Sequence, residues 1–552
     1  MTLSARTARL LLVPILLAYG YISLGYARGT PRWNNPDEPA HVNVIRQIAT
    51  TGTLPVLVEG DWDKATLDRL TTAWFPNDYE VDGIRYEGHQ PPLYYLLAAP
   101  VHRLTASQPL NRQILALRLF SAAIGAVAVV AAFVVAREAA PDRPVLAVLT
   151  AATVAFVPMN TAISAAVNND CLATSLAAVT LAALMVGRRR GFSDRWAVGL
   201  GVLVGALVIT KLTVYVFAPL ILVTLFLASR NPHTSPLTLG DGTGSPSPAA
   251  GGRGDVGGAD VRAAQRRGPH GRHDGGWGVG ATSLRWPAIA AGVGLLVSGW
   301  WLVRNMLVYG PLDPLAMVRH DQIVVGQPRW AAYDLEAFDF FFRILFRSFW
   351  GMFGWMGVVL DDGLYILYLV LTVLGVAGVV LGRWTADNQQ LRHKDILGWA
   401  ALLVFGEVAY YNLTFIQPQG RYLFPALVPI GLFLSSGWWH LASGATRGPL
   451  GRSLTAGVLA GAIAWGLGEA AGAIAVANGA LSTADSTVRA QHYWSDSALI
   501  AVAAAGALIV LAAPRAARTR LPVTLALLLA VALCLLDLAA LVEFVVPGFP
   551  VR

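Results

Sequence analysis

Apolar runs recur along the whole of this chain, and they restrict its fold more than any other feature. Most approach the roughly 20 apolar residues that a helix needs to cross the hydrocarbon core of a bilayer. Within lipid, backbone amides and carbonyls must pair inside the segment, which helices achieve on their own. Only 13% of the residues are charged, against about 25% in a soluble domain. The pattern therefore predicts an all-α, polytopic membrane protein.

Thirteen membrane-spanning helices are predicted, and the arginines at their ends give their orientation. Positively charged loops stay on the cytoplasmic side of a membrane. Arg6 and Arg9 precede the first run, so the N-terminus is predicted to be cytoplasmic and the protein to lie in the plasma membrane. Arg137 and Arg143 mark the next cytoplasmic turn. The predicted spans are residues 9–26, 114–136, 144–162, 171–187, 196–210, 212–228, 286–306, 363–382, 396–414, 421–442, 453–476, 497–513 and 522–545.

This threading divides the chain into three regions. Residues 1–228 are predicted to form an N-terminal transmembrane module with a first external loop at 27–113. Residues 229–285 are rich in glycine and arginine and poor in large apolar side chains, so they cannot offset the entropy of ordering. They are predicted to form a disordered cytoplasmic loop. Residues 286–552 are predicted to form a C-terminal transmembrane module with a second external loop at 307–362.

Charge and cysteine content exclude two further classes of site. The formal net charge is +8, but arginines cluster at the ends of apolar runs, as membrane topology predicts, so no nucleic-acid partner is expected. Cys171 and Cys534 both lie in apolar segments. They therefore predict neither a disulfide framework nor a metal site.

The first external loop carries neighbouring acids and histidines. The stretch "NNPDEPAH" supplies Asp37, Glu38 and His41, and "YEGHQPPLYYLL" supplies Glu87 and His89. An acid before a proline also suits a helix cap, and a histidine before two prolines suits an ordinary interfacial residue. The alternative is that a carboxylate acts as a general base, with a second carboxylate or an imidazole to orient the substrate.

Later helices add polar residues at their predicted outer ends. Each has an ordinary explanation, since Asp170 suits a helix cap, Lys211 can extend to water, and arginines can pair with external acids. Positive charge is nevertheless unexpected on the external face, and arginine is suited to binding phosphate. An acid to activate a hydroxyl and cations to hold a phosphate suit the transfer of a group from a phosphorylated lipid. These residues are Asp170 in "NND", Lys211 in "VITKLTVYV", Arg304 and Asn305 in "WWLVRNMLVYG", and Arg421 and Tyr422 in "QPQGRYLFPAL".

Taken in order, these motifs resemble the GT-C class of membrane glycosyltransferases. The likeness is to the branch of protein mannosyltransferases and lipid A aminoarabinose transferases (family 39), and to DUF2142-type membrane proteins of actinobacteria. It extends over about residues 9–440. It implies a GT-C fold and a sugar donor linked to a polyprenyl phosphate, with inversion at the anomeric carbon.

The resemblance also implies roles for individual residues. Asp37, with Glu38 beside it, would be the catalytic base, an acidic residue of the first external loop, and Asp170 would be the second acidic position of the family. Arg421, with Arg304 and Lys211, would hold the donor phosphate. Substrate contacts are further expected from His41, His89, Asn305 and Tyr422.

Two points of the resemblance stay open. Mannosyltransferases of this type often carry a lysine soon after "HPPL", whereas this chain reads "HQPPLYY". Either Lys211 or Arg304 would take over the contact with the phosphate, or the donor would bind in a different position. Some relatives bind a divalent metal and others do not. Asp37, His41 and His89 are the candidate ligands here, although their spacing alone decides nothing.

The sequence therefore predicts a membrane-embedded hexosyl- or pentosyltransferase. Its expected partners are a polyprenyl-phosphate-linked sugar, membrane lipids and an extracytoplasmic acceptor, which is a cell-wall glycan, a lipid or a protein. One rival is a transporter or flippase of a lipid-linked saccharide, which would place ionisable residues near the bilayer midplane. A second rival is a ligase or polymerase that transfers a whole glycan from the same kind of donor.

Overall fold

The computed structural model describes residues 3–76, 79–230, 284–383, 391–443, 456–468 and 520–549. The predicted span 497–513 and nearly all of the predicted disordered segment 229–285 lie outside these residues. Helices account for almost all of the regular structure. They are α1 Ala5–Gly29, α2 Glu38–Thr51, α3 Lys64–Thr72, α4 Leu93–Thr105, α5 Leu110–Ala139, α6 Pro144–Ala155, α7 Pro158–Ser164, α8 Asp170–Arg190, α9 Asp194–Val208, α10 Phe217–Arg230, α11 Arg285–Tyr309, α12 Met317–Ile323, α13 Leu335–Trp350, α14 Asp362–Arg383, α15 Lys394–Asn412, α16 Leu427–Ser443, α17 Ala456–Gly468 and α18 Leu521–Ala539.

Eight helical segments in the described part of the chain are long and apolar enough to cross a membrane, and the bent pair α6 and α7 makes a ninth. This confirms an all-α, polytopic membrane protein but not the predicted count of thirteen spans. At the predicted spans 196–210 and 396–414, the structure has α9, which is only 15 residues long, and α15, which carries three charged residues. The eight segments are Ala5–Gly29, Leu110–Ala139, Asp170–Arg190, Leu212–Arg230, Arg285–Tyr309, Asp362–Gly382, Gly420–Ser443 and Leu521–Gly548.

The predicted span at 144–162 is broken into two helices, since the chain bends by 63° between α6 and α7. Pro158 begins α7, and Val157 before it is extended, as steric contact with a proline ring favours. The carbonyls freed at the end of α6 accept hydrogen bonds from the side chains of Asn160 and Thr161. A broken helix is tolerated at such a place because its backbone groups find new partners within the protein.

Close helix packing in the second half rests on glycine. Gly437 in α16 meets the backbone of α14, where a Cβ atom would lie 1.8 Å from the carbonyl oxygen of Gly375. A Cβ on Gly378 would likewise lie 2.1 Å from the carbonyl oxygen of Gly437. Small residues that let two backbones approach are typical of helix pairs in membranes.

The segments between α1 and α5 and between α11 and α14 fold against each other. The first loop, residues 30–109, contains α2, α3 and α4, and the second loop, residues 310–361, contains α12, α13 and a short hairpin of β1 (Met352–Phe353) and β2 (Val358–Val359). Trp355 of the second loop donates to the carbonyl of Trp33 in the first, and Trp62 donates to that of Val325. The two loops therefore form one layer at the same end of the helices.

Candidate active site

Asp37 lies immediately before α2 in a strained backbone conformation. Its φ of 64° is left-handed, which costs a residue with a Cβ about 1 kcal/mol or more. Its side chain does not cap the helix. Instead, Oδ1 accepts a hydrogen bond from the Tyr86 hydroxyl at 2.8 Å, and Oδ2 accepts one from the Arg421 guanidinium at 2.7 Å. The strain therefore accompanies a carboxylate directed at groups distant in sequence.

Glu38, the next residue, has a different environment. Its side chain is fully buried, and its two oxygens accept from Arg118 at 2.7 and 2.6 Å. It also accepts from the backbone amides of Trp33 and Val167 and from the Asn35 side chain. Arg118 donates to three further carbonyls in residues 27–31. This pair joins α5 to the turn that presents Asp37, and Glu38 has no unused oxygen for a substrate.

Removing Arg118 is expected to destabilise the whole first loop. An Arg118→Ala change leaves the Glu38 carboxylate buried without its partner, which typically costs about 3–5 kcal/mol. The measurement is the thermal unfolding of detergent-solubilised protein and the yield of monodisperse material. Arg112→Ala is the matched control, because Arg112 lies on the same helix but is exposed. Wild-type unfolding of the Arg118 variant would contradict the assignment.

Arg421 connects two acids that come from different parts of the chain. Its Nη2 bonds Asp37, and its Nη1 lies 3.7 Å from Oδ2 of Asp170. Oδ1 of Asp170 pairs with Lys211. The side chains of Arg421, Asp170 and Lys211 are only 5%, 6% and 12% exposed. The structure thus brings four of the sequence-predicted site residues into one buried cluster of two acids and two cations.

Gly420 explains how Arg421 reaches this position. A Cβ on Gly420 would lie 2.1 Å from the backbone nitrogen of Phe349 in α13, so only glycine allows the chain to pass there. Its own amide donates to Ser348 at 2.8 Å. The turn of 3-10 helix Gly420–Ala426 then leads into α16. The glycine of the "QGRY" motif therefore allows the close backbone contact, and the next residue is the arginine of the cluster.

Glu87 joins the cluster, although it is not among the predicted site residues. It lies in the short 3-10 helix Tyr86–His89 and is largely buried, and its Oε2 has no hydrogen-bond partner. One potential ligand atom each from Asp37, His41 and Glu87 lie within 4.8 Å of one another. His89 instead bonds the Tyr86 carbonyl and packs against the ring of His320. The group that could hold a metal ion therefore contains Glu87 in place of His89.

Burial and neighbouring charges set different protonation states in this cluster. Burial alone would raise the pKa of Asp37, but the Arg421 guanidinium lowers it below its usual value. Burial, together with the charge of Asp37, raises the pKa of Glu87 to about 8. Burial lowers the pKa of both His41 and His89 to about 3. Near neutral pH, Asp37 is therefore ionised, Glu87 is mostly protonated and the two imidazoles are neutral.

Raising the pH from 6.5 to 9 is expected to lower the melting temperature of the protein. Glu87 has a pKa of about 8 in the folded protein and about 4.5 when exposed, so across this window the unfolded chain binds fewer protons. Stability falls with pH under that condition. Glu87→Gln removes this titration, so its melting temperature should fall by roughly 2–4 °C less than that of wild type over the same pH range. If the melting temperatures of wild type and Glu87→Gln fall equally between pH 6.5 and 9, Glu87 ionises with an ordinary pKa.

Several buried polar atoms at this cluster and at the adjoining start of α8 have no hydrogen-bond partner in the described part of the chain. Among the described residues, atoms without a hydrogen-bond partner include Oε2 of Glu87, Nδ2 of Asn168, Oδ1 of Asn169, Oδ2 of Asp170 and Nη1 of Arg421. Leaving such groups unpaired costs about 1–3 kcal/mol each, so proteins rarely bury them without a ligand or water. A polar ligand that supplies both donors and acceptors would complete these contacts.

Comparison with known proteins identifies the family. The sequence pattern of the family described as predicted membrane protein (DUF2142) matches residues 76–430. The chain belongs to the DUF2142 family. Asp37, Glu38 and His41 precede the matched range, whereas Glu87, Asp170, Lys211 and Arg421 lie inside it. No curated protein matches the sequence.

Solved structures resemble this DUF2142 protein at low sequence identity. ArnT from Cupriavidus metallidurans bound to undecaprenyl phosphate has a TM-score of 0.51 at 14% identity, covering 97% of this chain and 76% of that one. Its apo form gives 0.51 at 16% identity, covering 98% and 78%. Archaeoglobus fulgidus AglB with an inhibitory peptide and a dolichol-phosphate gives 0.44 at 12%, covering 78% and 50%. The ArnT likeness confirms the predicted GT-C fold.

Two predicted substrate-binding residues of the DUF2142 protein, Arg304 and Asn305, make their contacts outside the cluster. Arg304 donates to the Pro55 carbonyl and to Oδ1 of Asn305, and its guanidinium lies over the ring of Trp301. Asn305 donates to the carbonyl of Pro314. Their contacts hold α11 to the loops. The motif gives the residue types at the helix end but not the direction in which their side chains point.

The other predicted contacts of the DUF2142 protein surround the cluster. The ring of Tyr422 lies under the Arg421 guanidinium, 5.4 Å from it. Its hydroxyl donates to Oε1 of Gln417 at 3.2 Å. His41 bonds the Tyr95 hydroxyl at 2.9 Å through Nδ1. Tyr422 and Tyr95 therefore form the walls that keep Arg421 and His41 in place.

Proposed function

We propose that this DUF2142 protein is an integral-membrane glycosyltransferase with an outward-facing site. It transfers a sugar from a polyprenyl-phosphate donor to an extracytoplasmic hydroxyl. The observation that carries this proposal is the buried cluster in which Arg421 joins Asp37 to Asp170 beside Lys211. A base next to cations that have unmet hydrogen-bonding capacity is the arrangement that transfer from a lipid phosphate requires.

The donor phosphate binds at Arg421 and Lys211 in this mechanism. The Nη1 of Arg421, which lies 3.7 Å from Asp170 without a hydrogen bond to it, donates to one phosphate oxygen, and Lys211 turns from Asp170 toward another. Guanidinium and ammonium groups form short, charge-assisted bonds to phosphate. Asp170 balances their positive charge before the donor arrives. The ArnT structure of the same fold, which holds undecaprenyl phosphate, supports a lipid phosphate as the carrier.

Asp37 then acts on the acceptor. Its carboxylate takes the proton of the acceptor hydroxyl, and the oxygen attacks the anomeric carbon of the donor sugar. The bond from that carbon to the phosphate oxygen breaks, and the polyprenyl phosphate leaves with the bonding electrons. Arg421 and Lys211 stabilise the charge on it. A single displacement of this kind inverts the anomeric configuration.

Glu38 has a positioning role in this proposal. Its carboxylate is saturated by Arg118 and backbone amides, so it supports the turn that holds Asp37 rather than reacting with substrate. Glu87 and His41 complete the wall around Asp37. His89, Arg304 and Asn305 act in loop packing.

A divalent cation, if bound, would be held by Asp37, His41 and Glu87. A tetrahedral ion bound at about 2.1 Å has ligand atoms roughly 3.4 Å apart, so these residues fit an ion after a small inward shift. Such an ion would add Lewis-acid stabilisation of charge. In the transfer assay, EDTA followed by Mn²⁺ or Zn²⁺ separates the cases: loss and recovery of turnover assign the ion, and constant turnover assigns the chemistry to the side chains alone.

A transporter of lipid-linked saccharides is the rival that another buried acid could favour. Asp537 of α18 is fully buried and accepts from Tyr26 at 2.9 Å and from Thr161 at 2.7 Å. Intramembrane acids often mark transport pathways. Both oxygens of Asp537 are bonded and the residue is completely inaccessible, whereas the Asp37 side chain is 21% exposed. Tyr26 also lies near the end of α1 that enters the first loop. These contacts favour a structural link between helices over a moving substrate site.

The test is reconstitution in proteoliposomes with undecaprenyl-phosphate-linked hexoses and pentoses. Release of undecaprenyl phosphate together with a glycosylated acceptor supports the proposal. Movement of donor between leaflets without bond cleavage would favour the flippase instead. Transfer of whole chains in place of single sugars would favour a ligase. For the orientation, impermeant maleimide should label Thr51→Cys but not Arg190→Cys in intact cells.

A further inference from the structure

A small cavity in the first loop is not used by the mechanism above. It has a volume of about 190 Å³ and is lined by residues of α3 and of the segments on either side of it. Tyr86 lines this cavity, and the hydroxyl of the same side chain donates to Asp37 at 2.8 Å. A ligand in the cavity therefore lies one side chain away from the proposed base.

Three aromatic rings form part of the lining. Trp62 is half-buried, and its indole nitrogen donates to the Val325 carbonyl at 2.8 Å. Its ring meets that of Tyr86 edge-on, with centroids 5.1 Å apart and an interplanar angle of 89°. Tyr79 adds a ring that is 37% exposed. Rings fixed in this way offer a large amphipathic surface at little entropic cost, and the C–H faces of sugars stack on such rings.

Carboxyl groups supply the polar part of the lining. Asp61 is 8% exposed, and its Oδ2 accepts from the Val58 amide at 2.9 Å, while its Oδ1 has no hydrogen-bond partner among the described residues. Glu80 is exposed and makes no ion pair with a described residue. Asp63 caps α3 through Oδ1. Carboxylates accept strong hydrogen bonds from hydroxyls, and their combined charge repels anions.

We propose that this cavity binds one ring of a neutral saccharide acceptor. The inference rests on the proposed function, since it places the acceptor glycan so that a hydroxyl beyond the bound ring reaches Asp37 past Tyr86. Drug-sized ligands occupy about 300–1,000 Å³, so the smaller volume suits a single sugar ring. The three carboxylates select against uronic acids and phosphorylated acceptors. A neutral glycan is therefore the acceptor class that this lining suits.

The experiment measures binding without any donor. The full-length protein in nanodiscs is titrated with neutral trisaccharides of mannose, arabinose and galactose, and with trigalacturonic acid as the acidic counterpart of galactotriose. Saturation-transfer NMR gives the affinities. At least one neutral trisaccharide should bind, and trigalacturonic acid should bind at least ten times more weakly than galactotriose. Trp62→Ala should weaken neutral binding at least tenfold, and Trp62→Phe should restore part of it.

Two further variants make the result specific to the cavity. Trp330→Ala is the matched control, because Trp330 is also half-buried in a loop and its indole donates to a backbone carbonyl, that of Asn412, at 2.7 Å. It should leave binding unchanged. Glu80→Gln should reduce the discrimination against trigalacturonic acid. The proposal is overturned if no neutral trisaccharide binds, if the acidic one binds equally, or if Trp62→Ala and Trp330→Ala behave alike.

The same variants separate this inference from the proposed function. In the transfer assay, Trp62→Ala should raise the acceptor KM at least tenfold and leave the donor KM unchanged. Neutral binding that depends on Trp62, without any transfer, would support the subsite and count against the transferase. Transfer with an unchanged acceptor KM in Trp62→Ala would support the transferase and refute the subsite.

Discussion

Asp37→Asn is expected to reduce sugar transfer by about 10²–10⁴-fold, the usual contribution of a general base. The amide keeps the shape of the carboxylate but cannot take a proton from the acceptor hydroxyl. The donor should still bind, because Arg421 is freed from its partner at 2.7 Å. The measurement is the rate of undecaprenyl phosphate release, with the donor KM determined in parallel.

Asp82→Asn is the matched control for that experiment. Asp82 lies in the same loop and also pairs with an arginine, Arg46, but at an exposed position, where ion pairs contribute little. Its transfer rate should stay within about twofold of wild type, since about 0–1 kcal/mol of pairing away from the cluster is all that is lost. An Asp37→Asn variant that turns over as fast as Asp82→Asn would refute a base at this position.

Arg421→Ala is expected to lower kcat/KM for the donor by about 10²–10³-fold, the cost of removing one donor to a developing negative charge. A second effect separates it from a simple loss of binding. Burial raises the pKa of Asp37 and the Arg421 guanidinium lowers it, so without the arginine the carboxylate stays protonated to higher pH. The acid limb of the pH–rate profile should therefore move upward.

Lysine and a distant arginine supply the comparisons for Arg421. Arg421→Lys keeps the charge but loses the forked geometry, so it should recover only part of the rate. Arg343→Ala removes an exposed arginine of α13 and should leave both the rate and the profile unchanged. An Arg421→Ala variant with a wild-type acid limb would mean that this arginine does not control the ionisation of Asp37.

The sequence by itself determined the class of fold and where most helices lie. Apolar runs and flanking charges are local properties. Each run is stabilised in the bilayer independently of the others, so its hydropathy and flanking charges are enough to predict it. The same reasoning placed Asp37, Asp170, Lys211 and Arg421 at one membrane face. The break at Pro158 also has a local cause, a proline within a run that is otherwise continuously apolar.

Only the tertiary structure decided which of these side chains meet. Asp37 and Arg421 are 384 positions apart, and no local pattern encodes a contact across that distance. Adjacent residues at a helix start point in different directions, so Asp37 faces the cluster while Glu38 pairs with Arg118. Glu87 resembled any loop acid until folding buried it, and Arg304 donates to the carbonyl of Pro55 instead of contacting the cluster. Hydropathy adds up along a chain, whereas an ion pair depends on where both partners finally lie.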